Sequence, residues 1–315
     1  RSNSVVSLNY SNAHLLIVGG TGFIGRWVVK AGLEYGYTVS VLSLNTPNLS
    51  KRIDGVEYFV ADLLDKESVA IALREKKFSH VINLGGFINH CQFKDGGRDI
   101  IDVHFIGVLN LVDSLNWDYL ESFIQIGSSD EYGNTSSPQS EDQIVSPISC
   151  YSVGKLASGQ FLQMLSRTEG FPAIILRLFL VYGPGQGDNR FLPQMILGCL
   201  NDQEFPVSLG EQIRDFCYIE DIVEGIFLAL TSNNSFGEVI NLASGSPTSI
   251  RSVVEKVNNL IGYGKPKFGE IDYRPGENMS LFADIQKARE CLQWSPKIDL
   301  DKGLKKTISK YAMKR

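Results

Sequence analysis

The feature that most constrains this chain is a regular alternation of short apolar runs with longer amphipathic runs, which begins at residue 14. Strands that alternate with helices of this length are typical of βαβ units and a parallel sheet. The alternation therefore predicts an α/β protein, a Rossmann doubly wound parallel sheet. The strand-like runs are HLLIVGG, TVSVLSL, VEYFVADL, SHVINLGG, ESFIQIGSS, PAIILRLFLVYG and EVINLAS, and the helix-like runs are FIGRWVVKAGLEYG, KESVAIALREKK, NLVDSLNWDYL and 151–169.

The pattern changes after residue 183, where loops punctuated by Gly, Pro and Asn separate short helices. Late irregular segments of this kind usually form a smaller lobe near the carboxyl ends of the strands, where ligands bind. We predict an NAD(P)-binding Rossmann domain over 14–182 with return segments at about 215–245. The C-terminal substrate lobe is predicted over 183–214 and 246–310.

Composition excludes several classes of function. The net charge is −5, and no long run of Lys or Arg would attract nucleic acid or an anionic membrane. The five cysteines are widely spaced without a CxxC pair, which argues against a disulfide framework and against a metal site. Residues 1–14 contain no apolar signal-type region, so a cytoplasmic protein is expected.

The run IVGGTGFIG places Gly19, Gly22 and Gly25 between the first predicted strand and the first predicted helix. Glycine is needed where the backbone turns tightly and where it must touch a pyrophosphate held at a helix N-terminus. A glycine triplet alone predicts only a tight turn, but here further βαβ units follow it. The motif therefore predicts a dinucleotide cofactor.

The end of the second strand indicates which dinucleotide. NAD-preferring sites usually carry an Asp or Glu there to bind the ribose 2′-hydroxyl. This chain has Ser43 and Asn45 instead, and Lys51 and Arg52 follow. Small polar groups with nearby cations suit a 2′-phosphate, so NADP(H) is favoured and NAD(H) is the alternative.

Asp62 ends the third strand, where its carboxylate either meets the adenine amino group or caps the following helix. The predicted cofactor contacts are Gly19, Gly22, Phe23, Ile24, Gly25, Ser43, Asn45, Asp62, Leu63 and Lys155.

Tyr151 and Lys155 stand four residues apart in CYSVGKLASGQFLQML, a spacing that puts both side chains on one face of a helix. An ammonium near a phenol favours the phenolate, which makes a tyrosine usable as a proton donor or acceptor. The YxxxK spacing also occurs in ordinary amphipathic helices. Behind a glycine-rich βα turn it predicts a catalytic pair.

Six motifs now stand in order: GGTGFIG, GSSDEYG, YSVGK, RLFLVYGPGQ, GEQIRDFCYIEDIV and RPGENMSLFADIQKARECLQWSP. Together they resemble the extended short-chain dehydrogenase/reductases that act on nucleotide sugars, from about residue 14 to 310. The resemblance implies that Tyr151 is the acid/base, that Lys155 also grips the nicotinamide ribose, and that a serine of GSS binds the reacting sugar oxygen.

The resemblance also implies a nucleotide-diphosphate sugar as substrate and a homodimer. Arg214 and Arg274 are at positions where family members bind the diphosphate, and Asn189 is a further expected substrate contact. Two positions depart from the family pattern, since Leu180 and His104 stand where Asn is common. We interpret His104 as a packed core histidine.

GSSDEYG allows two registers. Counting back from Tyr132 makes Ser128 the catalytic hydroxyl, whereas aligning on the acid pair makes Ser129 equivalent to the Thr of the 4,6-dehydratases. Asp130 and Glu131 are then expected near the sugar, although not both facing it.

The motifs look closest to nucleotide 4-keto-6-deoxyhexose reductases, so an NADPH-dependent 4-ketoreductase is the main expectation. The alternatives are a redox-neutral NAD-dependent 4-epimerase or 4,6-dehydratase and, in another class, a non-catalytic NAD(P)-binding regulatory protein.

Overall fold

The computed structural model describes residues 13–313 of the 315. Residues 1–12, on which part of the expectation of a cytoplasmic protein rests, lie outside the described residues. The strands within that range are β1 (His14–Val18), β2 (Thr38–Ser43), β3 (Val56–Val60), β4 (His80–Asn83), β5 (Ser122–Ser128), β6 (Ala173–Leu178), β7 (Leu180–Tyr182), β8 (Glu204–Val207), β9 (Ile213–Tyr218), β10 (Val239–Leu242), β11 (Pro247–Ser249) and β12 (Lys265–Phe268).

The α-helices of the same range alternate with these strands through the first half of the chain. They are α1 (Phe23–Glu34), α2 (Lys66–Leu73), α3 (Gly97–Ser114), α4 (Cys150–Glu169), α5 (Phe191–Leu200), α6 (Ile219–Leu230), α7 (Ile250–Ile261), α8 (Gln286–Leu292) and α9 (Leu300–Ala312). No helix of the described range is both long enough and apolar enough to cross a membrane.

The large sheet has seven strands in the order β10-β6-β5-β4-β1-β2-β3. β1 runs parallel to β2 and to β4, with Leu15 opposite both Val39 and His80. Four consecutive residues of β1 are buried, as expected for a parallel strand covered by helices on both faces. The predicted Rossmann fold is therefore confirmed.

The chain divides into two compact units. The first runs up to Gly127 and adds Ser149–Ile175 and Ala229–Glu238. The second contains Ser128–Ile148 and Leu176–Leu228 and continues from Val239. Compared with the boundaries expected from the sequence, 128–148 and 176–182 belong to the second unit, and the returning segment of the first unit is shorter.

Two predicted elements differ from the structure. The run PAIILRLFLVYG, expected as one strand, divides at Phe179, whose side chain packs on Ala243, Ala283 and Ile285. The residues after this point form β7, which pairs with β9 in a separate three-stranded sheet. The helix expected at NLVDSLNWDYL instead begins at Gly97 and ends at Ser114.

Candidate active site

The glycine-rich turn connects β1 to α1 in the first unit. Gly19 has a positive φ of 78°, and a side chain there would lie 2.8 Å from the Leu84 carbonyl oxygen. A side chain at Gly25 would lie 2.5 Å from the Gly19 oxygen. These two glycines are required by the packing of the turn itself.

Gly22 is different, because the nearest atom to a side chain there would be 3.7 Å away. Gly22 is the N-cap of α1, and no side chain caps the first turn of that helix. The open space faces uncapped backbone N–H groups, which is the arrangement that binds a pyrophosphate. The residues present therefore fit a dinucleotide cofactor, with Phe23 and Ile24 supplying the following N–H groups.

The residues after β2 and β3 have distinct contacts. Ser43 is buried, and its hydroxyl donates to the Asn45 carbonyl at 2.8 Å, whereas the Asn45 side chain is exposed. Asp62 is exposed, and its carboxylate accepts from the Leu64 N–H at 2.9 Å. The carbonyl of Leu63 accepts from Asn110 at 2.7 Å.

The alternative in which Asp62 caps the next helix is wrong. Asp65 is the N-cap of α2, where its carboxylate accepts from the N–H groups of Glu67 and Ser68, each at 3.1 Å. The cap must lie one residue before the first helical residue, and Asp62 lies three residues too early for that. Its carboxylate remains available for the adenine contact, which stays a prediction.

Tyr151 and Lys155 lie in the first two turns of α4, which Ser149 caps. Both side chains are buried, Tyr151 with 5% and Lys155 with 6% of its surface exposed. The Lys155 ammonium donates to the Ile126 carbonyl at 2.8 Å and lies 6.0 Å from the centre of the Tyr151 ring. A fixed positive charge near a phenol is the arrangement that supports proton transfer by tyrosine.

Two imidazoles contact Tyr151 in T-shaped, edge-on arrangements, His104 at 4.9 Å and His90 at 5.5 Å between ring centres. His104 is buried, and its Nε2 donates to the Phe87 carbonyl at 2.8 Å. Burial and, to a smaller extent, the charge of Lys155 lower the pKa of His104 to about 4. His104 is thus a packed, neutral histidine, as interpreted from the sequence, and it also supports Tyr151.

The sequence GSSDEYG lies in the second unit from Ser128 onward, where Ser129–Tyr132 form a 3-10 turn. The Ser128 hydroxyl accepts from the Asp130 N–H at 3.1 Å, and the Glu131 carboxylate accepts from the Ser128 N–H at 2.7 Å. These reciprocal bonds form a capping box. The Ser128 hydroxyl only accepts in that bond, so its hydrogen can still be donated to a ligand. The choice between Ser128 and Ser129 as the catalytic hydroxyl stays a prediction.

Glu131 does not fit the role of a sugar ligand that the sequence suggested. Its side chain is 1% exposed and lies 3.2 Å from Arg177 Nε, itself 6% exposed. The Arg177 guanidinium also lies over the Tyr132 ring, 4.6 Å from its centre. Tyr132 donates to Asn241 at 2.6 Å, and burial raises its pKa to about 12. Glu131 therefore braces the turn from inside the second unit.

The two arginines expected to bind a diphosphate also lie in the second unit. Arg214 donates to Glu277 at 3.0 Å and, through Nη1, to the carbonyls of Ile213 and Asn278. Burial lowers the pKa of Arg214, the charge and hydrogen bond of Glu277 partly offset this, and the charge of Arg274 acts in the same direction as burial. The negative charge of Asp130 raises the pKa of Arg214.

The backbone N–H of Arg274 is bound by Glu277 at 3.1 Å, so one carboxylate fixes the loop and the Arg214 side chain together. Three guanidinium donations of Arg214 go to protein atoms of the described residues, out of five N–H groups on the side chain. The remaining donors and the exposed Arg274 suit a diphosphate. Asn189 is exposed just before α5.

Comparisons with known proteins agree with these features. A family model described as the NAD dependent epimerase/dehydratase family matches residues 15–243. The chain belongs to this family of enzymes, within the extended short-chain dehydrogenase/reductases.

Two curated relatives span nearly the whole chain. A UDP-glucuronate 4-epimerase of Thermodesulfobacterium geofontis is 27% identical over 312 residues, which cover 94% of this chain and 95% of that protein. The dTDP-glucose 4,6-dehydratase 1 of Escherichia coli is 26% identical over 333 residues, covering 94% and 92%.

A solved structure of UDP-glucuronic acid 4-epimerase from Bacillus cereus, in complex with UDP-glucuronic acid and NAD, is 26% identical with a TM-score of 0.84. The match covers 96% of this chain and 100% of that one. The expected cofactor class is confirmed at the level of NAD(P), but this structure and the family description name NAD and give no support to a preference for NADP(H).

The sequence interpretation missed three residues around the expected site. Arg177 is a buried charge in the apolar strand β6, a pattern that by itself signals a buried partner. His90 contacts Tyr151 from the loop after β4, and no local pattern predicts that contact. Arg26 follows Gly25 directly, and this position next to the glycine motif could have indicated a residue near the cofactor.

Proposed function

We propose that this chain catalyses hydride transfer at C4 of a nucleotide-linked hexose, and that its reaction is a 4-epimerisation in which NAD(P) is regenerated. Full-length similarity to 4-epimerases supports the reaction type. The observation that carries the choice between epimerase and dehydratase is the burial of Glu131 against Arg177. Elimination of water needs an acid and a base on the sugar, and this ion pair occupies one carboxylate of the only acid pair in GSSDEYG.

The residues of the chain divide the task as follows. Tyr151 takes the proton of the C4 hydroxyl when the C4 carbon is oxidised, and it returns that proton when the ketone is reduced on its other face. Lys155 keeps a positive charge beside the phenolate and stabilises it. Bound NAD(P) would accept the hydride and give it back. The Ser128 hydroxyl donates to the same C4 oxygen.

The substrate's diphosphate is assigned to Arg214 and Arg274. A guanidinium binds phosphate oxygens through two parallel N–H groups, which fixes orientation as well as charge. Glu277 holds both residues, and we therefore propose that it preorganises the anion site without touching the sugar. The homodimer expected from the resemblance stays a prediction.

The test measures product and cofactor together. Purified protein is incubated with UDP-glucose, UDP-glucuronic acid or dTDP-glucose, and the sugar is analysed by NMR while absorbance follows the nicotinamide. The expected result is a C4 epimer with no net change in reduced cofactor. Formation of a 4-keto-6-deoxy sugar from dTDP-glucose would overturn the proposal in favour of a dehydratase.

A second candidate is the NADPH-dependent reduction of a nucleotide-linked 4-keto-6-deoxyhexose. One observation favours it, because the end of β2 carries Ser43 and Asn45 and no carboxylate, as in sites that accept NADP(H). A 4-ketoreductase consumes one NADPH for each sugar converted. Stoichiometric loss of absorbance with a 4-keto-6-deoxy substrate would therefore distinguish this reaction from epimerisation.

A further inference from the structure

A cavity of about 240 Å³ opens in the first unit beside the glycine-rich turn. It is lined by Thr21 of the turn, by Asn45, Thr46 and Lys51 of the loop after β2, and by Arg26 of α1. The cavity therefore lies where a dinucleotide cofactor places its adenosine ribose, at the end of the second strand.

Arg26 is the most informative residue of this cavity. It lies in the first turn of α1, and its backbone N–H donates to the Gly22 carbonyl at 3.0 Å. Its side-chain Nε is buried and has no hydrogen-bond partner among the described residues. A guanidinium is always charged and can only donate, so a buried N–H of this kind calls for an acceptor. The acceptor that satisfies both the charge and the N–H is an anion.

The other lining residues fit the same ligand. Lys51 adds a second cation, Asn45 and Thr46 add neutral polar groups, and the residues that line the cavity include no Asp or Glu. A neutral ribose diol is normally bound by a carboxylate. A phosphate monoester instead needs positive charge nearby and no carboxylate beside it. Ser43 has an indirect part, because its hydroxyl binds the Asn45 carbonyl and shapes the loop.

We propose that Arg26 and Lys51 bind the 2′-phosphate of NADP(H), with Arg26 as the main contact. The proposal rests on the proposed function only in assuming that the chain binds a nicotinamide dinucleotide. It assigns the cofactor preference to a residue inside the glycine motif and not to the loop alone. The chemistry recognised is a phosphate monoester on the adenosine ribose.

The experiment uses adenosine fragments, which bind this cavity without any sugar chemistry. Calorimetry measures the dissociation constants of adenosine 2′,5′-bisphosphate and of AMP for the whole protein. We expect the bisphosphate to bind at least about tenfold more tightly, since a charge-assisted pair with a phosphate is worth that much. The preference should weaken as salt is added.

Variants identify the residues. Arg26→Gln should reduce the preference for the bisphosphate about tenfold and leave AMP binding nearly unchanged, while Arg26→Lys should keep part of it. Lys51→Gln should have a smaller effect of the same kind. Lys30→Gln is the matched control, because Lys30 is an exposed residue of the same helix that does not line the cavity.

The outcomes separate this proposal from the proposed function. Equal binding of AMP and bisphosphate by the unchanged protein, or an equal loss of both ligands in Arg26→Gln with an unchanged melting curve, would overturn the phosphate site alone. Failure of NAD⁺, NADP⁺ and both fragments to bind would instead contradict the dependence on a nicotinamide cofactor. The sugar assay is a separate measurement, and its failure in a protein that prefers the bisphosphate would leave the phosphate site intact.

Discussion

Replacing Glu131 with Gln should destabilise the second unit strongly. The carboxylate faces Arg177 at 3.2 Å and accepts the Ser128 N–H at 2.7 Å, and both ionic side chains are almost fully buried. A glutamine has one acceptor oxygen for these two donors, so its NH₂ group would face either the Ser128 N–H or the Arg177 guanidinium, donor against donor. Arg177 would also lose its counter-charge, although its Nη1 already has no hydrogen-bond partner among the described residues. Removing one partner of a buried pair costs about 3–5 kcal/mol.

The assay is urea unfolding of the unchanged protein and of the variant, with the free energy of unfolding taken from the midpoint at constant slope. The exposed pair of Lys76 and Glu57 is a matched control, since its nitrogen–oxygen distance is also 3.2 Å but its side chains are 35% and 53% exposed. Glu57→Gln should cost less than about 1 kcal/mol.

A double variant tests the physical reason. Glu131→Leu with Arg177→Met removes both charges and both polar groups, so it should cost less than the sum of the two single variants. A loss below about 1 kcal/mol for Glu131→Gln, or strict additivity of the two single variants, would refute the coupled buried pair.

Three further predictions concern the first unit. Tyr151→Phe should lower turnover by about two to four orders of magnitude with unchanged NAD⁺ affinity, and near-full activity would remove its assigned role. Asn45→Asp should weaken NADP⁺ binding and strengthen NAD⁺ binding in calorimetry, because a carboxylate repels the 2′-phosphate and accepts the 2′-hydroxyl. The free energy of unfolding should fall as pH drops from about 6.5 through about 4, because His104 is protonated in the unfolded chain over this range but stays neutral in the folded one. In urea unfolding, His104→Asn should remove the part of this loss that comes from His104, which is about 3 kcal/mol at most. An unchanged pH dependence would contradict the neutral buried imidazole.

The features that could be predicted from the sequence are local ones. The glycine turn and the Tyr151–Lys155 spacing depend on a few neighbouring residues, and the strands of the large sheet are recognisable as continuous apolar runs. The direction of Glu131 depends instead on a 3-10 turn and on Arg177, which is 46 residues away in the chain. Period and composition carry no information about such a partner.

Two predicted element boundaries were wrong for a similar reason. The end of β6 is set by the packing of Phe179 on residues that follow more than sixty positions later. The N-cap of α2 is Asp65 and not Asp62, the residue considered from the sequence, although aspartate is a good capping residue at either position. In each case a local preference allowed two answers, and a contact formed only in the folded chain decided between them.

The cofactor site and the reaction type constrain one another. An epimerase returns every hydride that it takes, so it gains nothing from selecting the phosphorylated cofactor. A reductase must draw a reduced cofactor for each turnover, and a phosphate site at Arg26 would serve that need. Tight, phosphate-dependent binding would therefore raise the weight of the ketoreductase candidate even before a sugar is tested. Indifference to the 2′-phosphate would leave the missing carboxylate after β2 without that functional explanation, and it would favour the redox-neutral cycle.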